Sequence, residues 1–342
     1  MASGERDLDK REVQQRAEVL ALPVLPLRRH GRLVAAQGGD ALLSVSVGPA
    51  GEAVGLWAAA ETDRVLMSTP VQSRGASLLH ARAAHPAGTR ITVQSSESVQ
   101  VVRITESPRG YSTAQPLPGE RFLAVAGRCQ WRPDGPDCNA LIYDPDGVVI
   151  AKHTFGDGIR DVGATPSGKI WVSYSDEGVY GSRGWGGPGP APLGSCGVAC
   201  FGLDGIQQWR FPRDDAAYID GCYALNVCGE TVWACYYSTF PVVRIADGDV
   251  TMWRNSLAHG AKSLLVDDRR IGMAGGYRVH RDRLVVAELG DTDLCDVGRY
   301  RLVLPEGQPL PEHIRMIGRG PDLHVFHDLD WYQVSLADTA VR

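Results

Sequence analysis

Residues 139–181 read NALIYDPDGVVIAKHTFGDGIRDVGATPSGKIWVSYSDEGVYG, and the pattern in them decides the fold. Two short apolar runs, NALIY and VVIAKH, meet at Asp146-Gly147. Asp-Gly between such runs is a strong short-range hairpin signal. After Gly158 comes the run IRDVGA, then Pro166-Ser-Gly168, and at once a further run, KIWVSY. Proline presets φ at the first corner and glycine accepts φ > 0 after it, so this too is hairpin chemistry.

The same three elements return along the chain. A glycine opens an apolar run at Gly39, Gly75, Gly119, Gly158, Gly221 and Gly260, and a seventh run, HIRMIG from His313, lacks the glycine. The steps are 36, 44, 39, 63, 39 and 53 residues, near the period of about 40–50 expected of a four-stranded propeller blade. Pro-x-Gly turns follow at Pro49, Pro86 and Pro166, and Asp-Gly turns at Asp146, Asp204 and Asp247. A single blade cannot bury both faces of its twisted sheet, whereas neighbouring blades bury each other. The reading is an all-β, seven-bladed β-propeller, with six or eight blades allowed by the degenerate repeat and a lone sandwich as the alternative.

Residues 8–20, LDKREVQQRAEVL, are the one good helical stretch. This predicts a helical segment over 1–19 and a single propeller domain over 20–342. The last blade falls one strand short, and LALPVLPL, residues 20–27, is the strand expected to close it.

Composition agrees. The 342 residues include 40 Gly and 21 Pro, roughly 18% of the chain against about 12% on average. A net charge of −5 argues against a nucleic-acid partner held by phosphate contacts. No run approaches the roughly 18 apolar residues of a membrane span, and the charged N-terminus lacks the features of an export signal. The chain therefore reads as cytoplasmic, with no membrane partner and an open oligomeric state. Its eight Cys then read as free thiols in strands.

The segment from Asn139 to Trp209 resembles a group of uncharacterised bacterial β-propeller proteins. They share an IWV-x-Y-x-DEGV-[FY]-G motif, here Ile170 to Gly181. The resemblance implies the propeller fold and carries no activity with it.

In a propeller the residues before each inner strand ring one mouth of the central channel. On this alignment they are Gly38, Arg74, Pro118, Asp157, Asp220, His259 and Glu312, with Arg160, Asp161, Tyr223 and Lys262 one step deeper. Asp157, Asp220, His259 and Glu312 form an oxygen-rich set with one imidazole, suited to Mg²⁺, Mn²⁺ or Ca²⁺. Without metal, His259 could act as a general base with Arg160 and Asp161 beside it. The opposing reading is structural, because Asp commonly starts strands by accepting from nearby backbone N–H groups. Arg74, Tyr223 and Lys262 are candidate ligand contacts. So is Trp185, in the Gly- and Pro-rich insertion at 181–197, unless that ring is a plug. No strong catalytic motif is present, so the expected function is recognition of a protein or small ligand at the channel face. The alternative is a metal-assisted lyase or hydrolase at the channel mouth.

Overall fold

A computed structural model describes residues 2–59, 88–108, 112–213 and 218–339, with side chains from residue 11 onward. Helix α1 (Ala2–Leu20) leads into two short strands, β1 (Val24–Pro26) and β2 (Arg28–Arg32). Six sheets follow. The first holds β3 (Asp40–Val47), β4 (Ala53–Ala59), β5 (Thr89–Gln94) and β6 (Val99–Ile104). The second holds β7 (Ser112–Leu117), β8 (Arg121–Ala126), β9 (Ala140–Tyr143) and β10 (Val149–His153). The third holds β11 (Ile159–Ala164), β12 (Ile170–Tyr174), β13 (Val198–Phe201) and β14 (Gln207–Arg210), with the short helix α2 (Asp176–Tyr180) after β12.

In the fourth sheet are β15 (Gly221–Cys228), β16 (Thr231–Tyr237), β17 (Val242–Ala246) and β18 (Asp249–Trp253). The fifth contains β19 (Ser263–Val266), β20 (Arg270–Ala274), β21 (Arg283–Leu289) and β22 (Leu294–Val303). The sixth contains β23 (Arg315–Arg319), β24 (Asp322–His327) and β25 (Asp330–Ser335). Each sheet is a meander in chain order. These are the six blades of a β-propeller. Two compact units divide them, one of Arg32–Gly221 with blades 1 to 3, the other of Met1–Gly31 and Cys222–Arg342 with blades 4 to 6.

The blade count is thus six rather than seven. The run from Thr89 pairs directly with β4, Ala53 opposite Gln94 and Ala58 opposite Thr89, so it is the third strand of blade 1. The Gly75 run lies outside the described residues. Gly119 proves to be the turn between β7 and β8, not the opening of an inner strand. The true inner strand, β7, contains Pro116. An inner strand is an edge strand, where a missing N–H costs no ladder bond.

The Asp-Gly turns behave as expected. Asp146-Gly147, Asp204-Gly205 and Asp247-Gly248 each join the third and fourth strands of a blade. The N-terminal segment departs from expectation. Val24–Pro26 runs parallel to β22 as a fifth strand on blade 5, opposite Arg301–Val303. The strand that completes blade 6 is β2, which lies against β25. Its sequence, RRHGR, is polar because an outermost strand needs little beyond backbone pairing. Arg28 and Arg29 add ion pairs to Asp338 and Asp330, at 2.8 and 3.1 Å. Leu25 and Leu27 are buried among Leu302, Leu310, Val325 and Leu336. Burial of each such side chain is worth about 1.5–3 kcal/mol.

Within each unit the inner strands of neighbouring blades share no ladder among the described residues, and buried amides join them instead. In the unit of blades 1 to 3, Gln115 on β7 donates from Nε2 to Ser46 Oγ (3.0 Å) and the Val47 carbonyl (3.1 Å) on β3. Its Oε1 accepts from Ala164 N–H on β11 at 3.1 Å. In the other unit, Asn226 on β15 donates from Nδ2 to the carbonyls of Leu264 (2.6 Å) and Gly320 (3.0 Å). Its Oδ1 accepts from Gly320 N–H at 2.9 Å. The approach is so close that a Cβ on Gly318 would lie 1.7 Å from the Leu264 carbonyl oxygen.

Removing such an amide strands several buried backbone groups, each worth about 1–3 kcal/mol. Asn226→Leu is therefore expected to destabilise the protein by about 3 kcal/mol or more, read as a lowered midpoint in urea or heat. A midpoint within error of wild type would disprove this joint.

A second expectation concerns acid. His324 on β24 is 2% exposed, and its Nδ1 accepts from Trp331 Nε1–H at 3.1 Å. Burial first, then the nearby positive charges of His30 and Arg319, push the imidazole down to about 4. The unfolded chain takes up this proton near pH 6.5 and the folded one does not. The contribution is complete above about pH 6.5 and is lost progressively as pH falls toward 4, amounting to about 3 kcal/mol. His324→Gln, which cannot titrate, should flatten the stability–pH curve over that window. An unchanged slope would refute the assignment.

Candidate functional site

Blades 4 and 5 lie in one unit, and their strand order brings three connections to one end. In a meander the inner strand starts at the end where the second strand finishes and where the fourth strand passes to the next blade. The start of β15, the loop 238–241, the loop 254–262 and the loop 275–282 therefore meet there. Each contributes a ring or a charge.

Phe240 is the hub. It is 7% exposed and takes a left-handed backbone, φ +55°. Its ring touches Tyr223 (5.5 Å between centroids), Tyr237 (5.6 Å), Tyr277 (6.1 Å) and the imidazole of His259 (5.3 Å). The three tyrosines meet it edge to face, and His259 stacks on it at 26°. Both geometries suit the quadrupole of an aromatic ring. Tyr223 also contacts Tyr237 (6.2 Å) and Tyr277 (5.9 Å). Tyr237 and Tyr277 keep 46% and 40% of their surface exposed.

Lys262 brings the charge. Its Nζ stands 5.2 Å from the centroid of Tyr223 and 5.5 Å from that of Tyr277, within cation–π range of both. The local backbone fits around these rings. A Cβ on Gly260, where φ is +68°, would sit 2.5 Å from the Tyr277 ring. Beneath Phe240, buried Asn255 donates to the Phe240 carbonyl (2.8 Å) and the Ala258 carbonyl (2.7 Å), and accepts from Leu257 and Ala258 N–H.

Of the candidates read from sequence, Tyr223, Lys262 and His259 are brought together. The rest are not. Asp157, 3% exposed, accepts from Cys129 N–H (2.8 Å) and Ser182 Oγ (2.7 Å) and pairs with Arg128 (3.1 Å). It is a strand-start carboxylate with both oxygens engaged. Asp220 accepts from the Tyr180 hydroxyl, and this hydrogen bond raises the pKa of the phenol. Glu312 is exposed and lies 3.7 Å from Arg281. Asp157 and Asp220 belong to one unit, His259 and Glu312 to the other. Among the described residues no three His, Cys, Asp or Glu side chains are grouped to hold a metal ion, so the proposed Mg²⁺, Mn²⁺ or Ca²⁺ quartet is not assembled.

Arg160 is exposed on β11, and Asp161 beside it is tied to Ser173, whose hydroxyl donates to the carboxylate at 3.3 Å. Neither lies in the unit that holds His259. Trp185 takes the second of its two readings, the plug. It is 6% exposed and its Nε1–H donates to the Cys129 carbonyl at 2.9 Å, pinning the insertion rather than meeting a ligand. Arg74 lies outside the described residues.

Tyr237, Phe240, Tyr277 and Asn255 were not among the sequence candidates. Their one signal is position, since Tyr237 ends a second strand and the others fall in connections after a second or fourth strand.

Residues 203–266 match the model of the YxzG family, under a fifth of the chain. No curated protein matches the chain. Among solved structures it is similar to a gluconolactonase from Xanthomonas campestris, at 12% identity over 92% of this chain and 99% of that one, TM-score 0.46. A calcium-binding protein, regucalcin, from Agrobacterium tumefaciens gives 12% identity over 91% and 95%, TM-score 0.46. The β-propeller domain of the trilobed protease from Pyrococcus furiosus gives 7% over 88% and 83%, TM-score 0.41. Likenesses this distant say nothing about what the present chain binds.

The architecture of the site is open to test. Asn255→Ala removes four hydrogen bonds beneath Phe240 and Ala258, and should cost about 2–3 kcal/mol, with the carbonyls left unpaired. The near-ultraviolet dichroism of the tyrosines should weaken with it. Unchanged stability would show that Asn255 does not hold the hub.

Proposed function

We propose that this protein is a recognition scaffold. Its aromatic end on blades 4 and 5 takes a small ligand that carries an anionic group beside a flat or apolar face. The observation that carries the reading is Lys262 Nζ poised over Tyr223 and Tyr277, next to two half-exposed tyrosine rings. As an exposed cation, Lys262 can attract a carboxylate or phosphate. The exposed faces of Tyr237 and Tyr277 then offer surfaces for stacking. Ligand sites elsewhere are built alike, mostly apolar with a few polar groups that fix orientation. His259, stacked on Phe240, stands at the same end as a further donor or acceptor.

Matched pairs of probes separate charge from shape. Benzoate against benzamide, and glucuronate against glucose, should each show the anion raising the melting temperature, because a ligand of the native state alone must stabilise it. Lys262→Met should abolish the preference for the anion, and Tyr237→Ala should weaken both members of each pair. Equal effects of anion and neutral partner, or none from any probe, would defeat this reading.

A further inference from the structure

The loop that carries Tyr277 is short and closed at its neck. It joins β20 to β21 over residues 275–282, and Gly275 N–H donates to the Arg283 carbonyl at 2.8 Å. Within it Gly275 and Arg278 both have left-handed backbones, φ +80° and +45°. A non-glycine residue in that region is disfavoured and needs outside support. Arg278 directly follows Tyr277.

The support comes from helix α1, more than 250 residues away in sequence. Arg16 forms a forked pair with the Asp282 carboxylate, Nη1 to Oδ1 at 2.6 Å and Nη2 to Oδ2 at 2.8 Å. The same Nη1 donates to the Val279 carbonyl at 3.0 Å. The Asp282 side chain is 2% exposed, and its main-chain carbonyl is fixed to blade 5 by Leu302 N–H at 2.7 Å. Arg16 therefore ties the middle of the loop to a point that blade 5 already holds. One turn earlier on the helix, Glu12 pairs with Arg278 itself. Helix α1 is also anchored by Val19, 3% exposed.

We propose that Arg16 is a positioning residue for the aromatic site. Helix α1 clamps the loop 275–282 and so sets Tyr277 against Phe240 and under Lys262. The proposal rests on the recognition reading for its consequence, but the clamp itself can be measured without a ligand. The clamp acts on one wall of the site only, since Tyr223, Tyr237 and Phe240 belong to blade 4.

The test uses the full chain and two readouts, hydrogen exchange of the amides of 275–282 and the affinity for benzoate. In Arg16→Met those amides should exchange about ten-fold faster while β19–β22 keep their protection, as a local opening requires. Benzoate should bind several-fold more weakly. Arg16→Lys, which keeps the charge and part of the hydrogen bonding, should restore most of both. Unchanged exchange in the loop would overturn the proposal. So would faster exchange spread evenly over β19–β22, which would make Arg16 a support of the whole blade.

Arg16→Met leaves a buried carboxylate unpaired and could prevent folding. Glu12→Ala avoids this, because it removes only the pair to Arg278, and it should still speed exchange at 277–279. No change there would count against the clamp. Failure of wild-type protein to prefer benzoate over benzamide would remove the recognition reading and leave the exchange result to decide the clamp on its own.

Discussion

The interaction on which each unit depends is the buried side-chain amide at its hub. Within a blade the backbone satisfies itself through ladders, but each inner strand has a free edge away from its own sheet. Backbone groups on that edge are buried by the neighbouring blades, and an unpaired buried carbonyl or N–H is expensive. Gln115 meets this need across β3, β7 and β11, and Asn226 across β15, β19 and the β23–β24 turn. An amide suits the place because it donates and accepts from one planar group. It also fixes spacing, since it binds only when the strands stand one side chain apart. The glycine at 318 follows from that spacing, because nothing larger than hydrogen fits against Leu264.

The N-terminal segment serves the other end of the same problem. A meander of three strands leaves the last blade with an exposed edge, and β2 covers the edge of β25. The preceding residues divide the remaining work by polarity. Leu25 and Leu27 fill the core between blades 5 and 6, the arginines of β2 reach acidic partners at the surface, and α1 continues to the loop 275–282. The segment up to Gly31 thus touches the core, an edge and a loop within one unit.

Much of the fold was legible in the sequence because turns are local. Asp146-Gly147, Asp204-Gly205 and Asp247-Gly248 specify tight hairpins by φ > 0 alone, and no distant contact is needed to read them. The blade count was harder. A glycine before an apolar run marks an inner strand at Gly158 and Gly221, but a turn inside a blade at Gly119. The two have the same local chemistry and differ only in which strand pairs with which. Placing the closing strand at 20–27 failed for a related reason. Apolar pattern identified the residues that enter the core, whereas the closing strand needs backbone pairing and can be as polar as RRHGR. At the site, Tyr223 lies in an inner strand and His259 and Lys262 just before one, and all three were found by alignment. Tyr237 ends a second strand, and Phe240 and Tyr277 belong to loops after second strands, so their meeting depends on the strand parity that the sequence left ambiguous.

The aromatic end also explains why a lysine sits where a hydrophobic residue would seem natural. Four rings, packed mostly edge to face, expose a surface that is apolar in area but negative at its ring faces. An ammonium over two of those faces is attracted by the quadrupoles, so exposed Lys262 can stand over the rings while its stem covers ring carbon. The rings are held before any ligand arrives, Phe240 by Asn255 and Tyr277 by Gly260 and the clamped loop. Binding to a preset surface costs little ordering entropy, which favours small ligands with few contacts. The wall most exposed to change is then Tyr277. Phe240 lies over a buried amide in its own blade, whereas the backbone beside Tyr277 has a left-handed arginine that depends on a helix from the far end of the chain.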